Sequence, residues 1–308
     1  DDLVLDIAGN DGTLLNEFKN ILNVNVLNID AAQNITKISR NQGIKTINAF
    51  WSLRVAKQIL SDFSKPKLII ATNVLAHVDD IKNFLLSVKV CLSEDGIFVA
   101  EFPYCVDLIE NNEFDTIYFE HLSYFLIKPL NILAKSVGMK IFDAEKFDIH
   151  GGTLRVLMSQ DLNYSVTDSV KNFSQYESAK GFYNESKYIE WSKRINTLIE
   201  DLIKNLTILN EGGAKIAAFG ASAKGNTLLN SCGFDHEIVK YIVDDTPEKI
   251  GKFSPGTGIP IVSREMLEVS PPDYLLILAW NCLEDIMKTT SDFKGKYIVP
   301  IPKFQVLE

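Results

Sequence analysis

The sequence predicts an α/β protein: a mostly parallel sheet with helices on both faces, a helical connector, and a second, smaller α/β domain. Three observations predict it. Short apolar runs alternate with helical patterns through the first half; a polar stretch at helical spacing follows; and the strand–helix rhythm restarts after Gly212-Gly213. At 308 residues the chain is long for one core and comfortable for two.

The elements follow in order. Strand-like runs occur at Leu3–Ala8, Val24–Ile29, Leu68–Ala71, Gly96–Glu101 and Met139–Phe147. Helical patterns separate them at Gly12–Leu22, Ala31–Asn41, Val55–Ser61, Asp80–Leu92 and Lys128–Val137, the last ended by Gly138. Thr153–Ser159 follows Gly151-Gly152 with no helix between, so it should return antiparallel beside the preceding strand. Residues 161–211 place Trp191, Ile195, Leu198, Leu202 and Leu206 at helical spacing and form the connector. Lys215–Phe219, Glu237–Val243, Tyr274–Ala279 and Tyr297–Ile301 are the strands of the last domain, with a helix at Asn226–Ser231. The expected domains are therefore 1–160, 161–211 and 212–308.

Composition narrows the function classes. Hydrophobic residues make up 46% and charged residues 23%, an ordinary globular balance. A net charge of −9 argues against a general nucleic-acid binder. Cys91, Cys105, Cys232 and Cys282 form no C-x-x-C pair, so no zinc or redox motif is expected and a reducing, cytoplasmic setting is. No apolar run reaches the roughly 20 residues of a membrane span. The chain opens at Asp1 and enters a buried-looking strand at once, which reads as part of a longer protein.

"VLDIAGNDGTLL" joins a strand to a helix through a turn containing Gly9, Asn10 and Gly12. Glycines let a backbone approach a ligand closely, but the dinucleotide spacing G-x-G-x-x-G is absent. An acid at the strand end, Asp6, suits a ligand with a cationic amino-acid end, such as S-adenosylmethionine; Asp30, closing the next strand, would accept from ribose hydroxyls. A plain βα turn is the alternative. Phe50 and Trp51 lie just past a third strand and would flank an adenine, or simply pack. "IIATNVLAHVDDI" places Asn73 and His77 at the carboxyl edge of a strand, where ligands bind in such sheets.

"KIAAFGASAKGNTLLNSCG" is a second strand–turn–helix. Gly220, Ser222, Lys224, Gly225 and Asn226 offer backbone N–H groups, a hydroxyl and a cation, a combination suited to phosphate, and Asp244 ends the next strand. The Walker spacing fails.

"FDTIYFEHLSYF" sets Glu120 beside His121 among aromatics. An imidazole, with an ordinary pKa near 6.5, suits a general base at neutral pH. A lone histidine in apolar company is more often a packed core residue, but this element lies on a loop at the ligand edge of the sheet.

These stretches, with "EFPY", "HGGTLRV", "VDDTPEKIGKFSPGTGIPI" and "LAWN", run from residue 3 to 301 in the order found in the sugar C-methyltransferases, which the chain resembles. Members methylate a carbon of a nucleotide-diphosphate-linked keto-deoxysugar, and that is the substrate the resemblance implies, with S-adenosyl-L-methionine as donor. It also implies a class I methyltransferase domain with a seven-stranded, mostly parallel sheet, and a Rossmann-like C-terminal domain that helps hold the nucleotide sugar. The histidine of the family's Y-x-E-H element is its proposed base: here Tyr118, Glu120 and His121. His77 and His150 lie in the family's active-site region. Set against the family, this chain is expected to lack its N-terminal zinc-binding domain and the helical segment after it, so no metal is expected here. The family often has a histidine at Phe119 and a proline at Ser222. Methyl transfer to a sugar oxygen or nitrogen, or a non-catalytic nucleotide-sugar-binding fragment, are the competing readings. No nucleic acid or membrane partner is expected, and the protein is expected as a monomer or dimer.

Overall fold

The computed structural model describes residues 2–149 and 151–308. The chain begins β1 (Leu3–Ile7), α1 (Thr13–Leu22), β2 (Asn25–Asp30), α2 (Gln33–Asn41), β3 (Lys45–Asn48), α3 (Leu53–Asp62), β4 (Leu68–Thr72), α4 (Ile81–Cys91) and β5 (Ile97–Pro103). It continues with α5 (Cys105–Glu110), α6 (Ile127–Ser136), β6 (Lys140–Phe147), β7 (Thr153–Ser159), α7 (Asp168–Ala179) and α8 (Glu185–Glu211). The last part runs β8 (Ile216–Phe219), α9 (Ala223–Cys232), β9 (Val239–Val243), β10 (Ile261–Val262), α10 (Met266–Val269), β11 (Tyr274–Ile277), α11 (Leu283–Thr289), β12 (Lys296–Val299) and β13 (Gln305–Leu307).

The contacts within the described chain divide it into two compact units. The first holds the residues up to Cys105, with Glu120–Asp148 and Gly152–Gly181. The second holds Phe182–Glu308 and also Val106–Phe119, Ile149 and Gly151. The segment just before Glu120-His121 thus clusters with C-terminal residues far from it in sequence.

In the first unit seven strands form one sheet in the order β3-β2-β1-β4-β5-β7-β6. Only β7 runs against its neighbours, pairing antiparallel with β5 and β6, as a strand entered directly through Gly151-Gly152 must. All five residues of β1 are buried, the mark of a central parallel strand covered on both faces. Helix starts are set by side chains: Ser52 Oγ accepts from Val55 N, and the Asp80 carboxylate accepts from Asn83 N at 3.0 Å. Gly138, at φ 77°, follows α6 in the left-handed conformation that ends helices.

One buried acid ties this unit together. Glu177, on α7, is fully buried, and its Oε1 accepts from Tyr104 Oη and from Ile127 N, each at 2.8 Å. Ile127 opens α6, so a carboxylate from another helix caps it and meets the positive end of its dipole.

In the second unit the sheet order is β10-β9-β8-β11-β12-β13, parallel except for β13. Strand residues alternate between its faces: Ile216 and Ala218 pack with α8 and α9, and Ala217 and Phe219 with α11. The 27-residue α8 is about 40 Å long at 1.5 Å per residue. It buries Ile195, Leu198, Leu202 and Leu206 along one stripe, each worth roughly 1.5–3 kcal/mol of burial. Strands β10 and β13 have two and three residues, too few to leave an alternation in the sequence. Among the described residues no helix is long and apolar enough to cross a membrane.

Candidate active site

A cleft of about 780 Å³ opens at the carboxyl ends of β1 to β4. Its walls include Asp30, Phe50, Trp51, Asn73, His77 and Phe84. Ligands bind at this edge of doubly wound sheets because the loops there carry the free polar groups.

The turn after β1 forms one wall, and its shape is not carried by the expected residues alone. Left-handed φ angles fall at Ala8 (57°), Asn10 (54°) and Gly12 (84°). Gly9 has no such angle. It is required for space: a Cβ there would stand 2.6 Å from both Asp6 Oδ2 and Asn28 Oδ1. Asn28, fully buried, is fixed by donating from Nδ2 to Asn10 O (2.9 Å) and Ser39 Oγ (3.1 Å), while its Oδ1 has no partner among the described residues. Asp6 lies beneath the turn, only 4% exposed, so burial and then the nearby Asp30 push its carboxyl up to about 7.

Asp30 faces the cleft. Its Oδ2 accepts from Asn10 N at 3.2 Å and its Oδ1 from Ala32 N at 2.8 Å. Each carboxylate oxygen therefore keeps acceptor capacity for a diol. Asn48 Nδ2 donates to the carbonyls of Asp30 and Ala31 at 2.9 Å, which pins this strand end. Phe50 is 84% exposed, an apolar ring lining the cleft. Trp51 is held edge-on to Phe84 and donates its indole N–H to Phe84 O at 3.3 Å. Asn73 is another left-handed position, at φ 56°, its N–H donating to Glu101 O. A diol acceptor, aromatic faces and a glycine cradle above a buried acid fit an adenosyl donor with an amino-acid tail.

His77 and His121 come together. Backbone N–H groups of Leu122 and Ser123 donate to Ala76 O at 2.8 and 3.2 Å, which docks the 120–125 loop on the segment after β4. The two imidazole centroids are 4.9 Å apart, and His121 also meets Tyr124 edge-on at 6.2 Å. His77 Nδ1 lies 2.9 Å from Glu120 O. A carbonyl only accepts, so Nδ1 carries the proton and Nε2 of the neutral ring holds the lone pair. Glu120 thus meets His77 through its backbone, while its side chain is exposed. Tyr118 is half-buried in the second unit, and His150 falls outside the described residues.

The second glycine turn is largely occupied by its own chain. Gly220 N donates to Val243 O, Ser222 N to Gly220 O, Ala221 N to Asp244 Oδ2, and Gly225 N to Ser222 Oγ. Ser222 is the N-cap of α9, and Asp244 braces the turn, also accepting from Lys249 Nζ at 3.1 Å. Gly220 (φ 97°) and Gly225 are close-approach positions: a Cβ on Gly225 would stand 2.7 Å from Leu278 Cβ. Asn226 Oδ1 is buried without a partner among the described residues, and Lys224 Nζ sits 4.9 Å over the Trp280 ring. Among the described residues no group of three or more His, Cys, Asp or Glu is placed to hold a metal ion.

Sequence reasoning passed over Ala8, Trp280 and Asp115. Ala8 gave no signal, since alanine is uncommon at left-handed angles. Asp115 and Trp280 stood inside quoted stretches, but their hydrogen bond spans 165 residues.

Residues 2–143 match the pattern of a family described as methyltransferase domain, and residues 148–302 one described as C-methyltransferase C-terminal domain. The C-methyltransferase NovU of Streptomyces niveus is 33% identical over 313 aligned residues, 99% of this chain and 74% of that protein. A SAM-dependent methyltransferase from Archaeoglobus fulgidus has 16% identity and a TM-score of 0.40, over 47% of this chain and 64% of its own. An S-adenosylmethionine-dependent methyltransferase from Clostridium acetobutylicum has 16% identity and a TM-score of 0.38, over 51% of this chain and 83% of its own.

Proposed function

This chain belongs to the C-methyltransferase family and is an S-adenosylmethionine-dependent methyltransferase, and from that premise we propose that it methylates a carbon of a nucleoside-diphosphate keto-deoxysugar, with His121 as general base. The observation that supports this reading most is the His77–His121 pair, with centroids 4.9 Å apart and His77 lining the cleft.

When bound, S-adenosylmethionine supplies an electrophilic methyl group on a positively charged sulfur. The protein's residues do the rest. Asp30 holds the ribose diol, Phe50 and Trp51 flank the adenine, and the turn Ala8–Gly12 with Asn73 takes the amino-acid end, over Asp6. Carbon becomes nucleophilic only after a proton leaves the position beside a ketone. His121 takes that proton, and the Tyr118 hydroxyl, three positions earlier, donates to the enolate oxygen. His77, its tautomer fixed by Glu120 O, packs against His121 and limits its rotation. The C-terminal domain helps hold the nucleotide: Lys224 and the N-terminus of α9 offer positive charge to the diphosphate, next to Gly220, Ser222, Gly225 and Asn226, while Asp244 keeps the turn in shape.

His121→Ala should lower kcat about 10²–10⁴-fold, the usual worth of a positioned base, with donor affinity unchanged by calorimetry. Full activity in that variant, or a product methylated on oxygen or nitrogen, overturns the reading.

A further inference from the structure

The segment before Tyr118 is held by C-terminal residues at three points. Arg194 on α8 donates to Ile109 O at 2.9 Å. Asn112 Nδ2 donates to Pro302 O at 3.3 Å. Trp280 Nε1 donates to Asp115 Oδ2 at 2.7 Å, and Asp115 is fully buried. Phe114 sits in the core that α8 and α9 build on their face of the sheet. Lys224 lies over the Trp280 ring, so the indole has a cation on its face and a carboxyl at its edge.

From Glu113 to Tyr118 the chain is one self-bonded turn. Thr116 donates from N (3.1 Å) and Oγ1 (2.7 Å) to Glu113 O, Ile117 N to Phe114 O at 3.0 Å, and Tyr118 N to Thr116 O at 3.2 Å. A turn closed in this way moves as a unit, so whatever fixes Asp115 fixes the backbone that carries Tyr118.

We infer that Trp280, acting through Asp115, is a positioning residue for Tyr118, so that the C-terminal domain orients a catalytic side chain as well as helping to hold the nucleotide. The catalytic part of this statement rests on the use of Tyr118 proposed above. Trp280 acts here through Asp115 and sets the angle at which the phenol is presented. Misplacing a catalytic group by about 1 Å lowers turnover by up to about 10²-fold, so one indole N–H matters here beyond its own bond.

The test is fluorine NMR of the full chain labelled with 3-fluorotyrosine, the residue-118 resonance being assigned by its loss in Tyr118→Phe. Trp280→Phe, which keeps a ring but lacks the N–H, should shift and broaden that resonance. Asp115→Asn, which keeps an acceptor for the indole, should leave it in place. The Tyr188 resonance, from a hydroxyl bonded to Phe182 O at 2.7 Å, reports whether the unit stays folded and should not move. If Trp280→Phe disturbs Tyr188 as well, Asp115→Ala, with the indole intact, decides by the same two resonances. A residue-118 resonance that ignores the loss of the Trp280–Asp115 bond overturns the inference. With a nucleoside-diphosphate keto-deoxysugar as substrate, kcat should fall at least about tenfold in Trp280→Phe at unchanged KM. Tyr118→Phe separates the two claims: unchanged methyl transfer there removes Tyr118 from the mechanism while the fluorine result still stands.

Discussion

At the scale of single residues, the turn after β1 works with strain. Ala8 holds a left-handed φ of 57°, where a Cβ costs roughly 1–2 kcal/mol, while Asn10 tolerates a similar angle through its short polar side chain. Ala8→Gly should stabilise the protein by about 0.5–1 kcal/mol after the loss of chain entropy, read as a rise in Tm. Gly9→Ala acts oppositely. Its Cβ would meet two buried oxygens at 2.6 Å, and donor affinity should drop by at least about tenfold, roughly 1.4 kcal/mol by calorimetry. Asp6 adds a pH dependence. Its folded pKa, about 7, lies above the unfolded value, so the folded state keeps a proton that the unfolded chain has released. Rising pH between about 4 and 7 therefore removes stability, roughly 2–4 kcal/mol once Asp6 must ionise. Asp6→Asn, which never ionises, should raise Tm at pH 8 and leave it unchanged at pH 4. An equal effect at both values would contradict this account of the buried acid. The positions of Asp30 and Asn73 at strand ends were legible from the sequence, because a doubly wound sheet puts those ends at the ligand edge, whereas His77 lies in a short 3-10 turn, Leu75–His77, beyond β4. That His77 would meet His121 was not, since it depends on two backbone bonds to Ala76 O from a loop more than forty residues on.

At the scale of elements, most strands and helices could be read because their periods are long enough to register. The antiparallel return of β7 followed from Gly151-Gly152 leaving no room for a crossover helix. Strands β10 and β13 were invisible for the opposite reason, having two and three residues. Two caps give measurable consequences. Glu177→Ala leaves the Tyr104 hydroxyl and the first amide of α6 without their buried acceptor, and should cost about 3 kcal/mol in chemical denaturation. Ser222→Ala removes the cap of α9 and should cost about 1 kcal/mol. The same substitution bears on the second glycine turn. Several of its N–H groups are engaged internally, so binding of a nucleoside diphosphate should depend on Lys224 more than on the Ser222 hydroxyl. Lys224→Met should weaken it while Ser222→Ala spares most of it.

At the scale of the whole molecule, the division into units is the least sequence-like feature. Val106–Phe119 clusters with residues beyond Phe182, although nothing in its own pattern points there. The chain crosses from one unit to the other between Phe119 and Glu120, inside the stretch that carries the proposed chemistry. Donor binding should be felt unevenly across this division. At one hundred times Kd the donor stabilises whatever binds it by about 2.7 kcal/mol. Hydrogen exchange should then slow in the Ala8–Gly12 turn and around Asn73, with α9 little changed; protection spread equally through β8 to β13 would contradict the assignment of the donor to the first unit. The central claim is proton removal from carbon by His121. It is tested most directly by incubating the enzyme in deuterated water with a nucleoside-diphosphate keto-deoxysugar and no methyl donor, following the C–H beside the ketone by NMR. The account predicts that the wild type exchanges this hydrogen for deuterium and that His121→Ala does not. Exchange at equal rates in the two proteins, or none in the wild type, would contradict it.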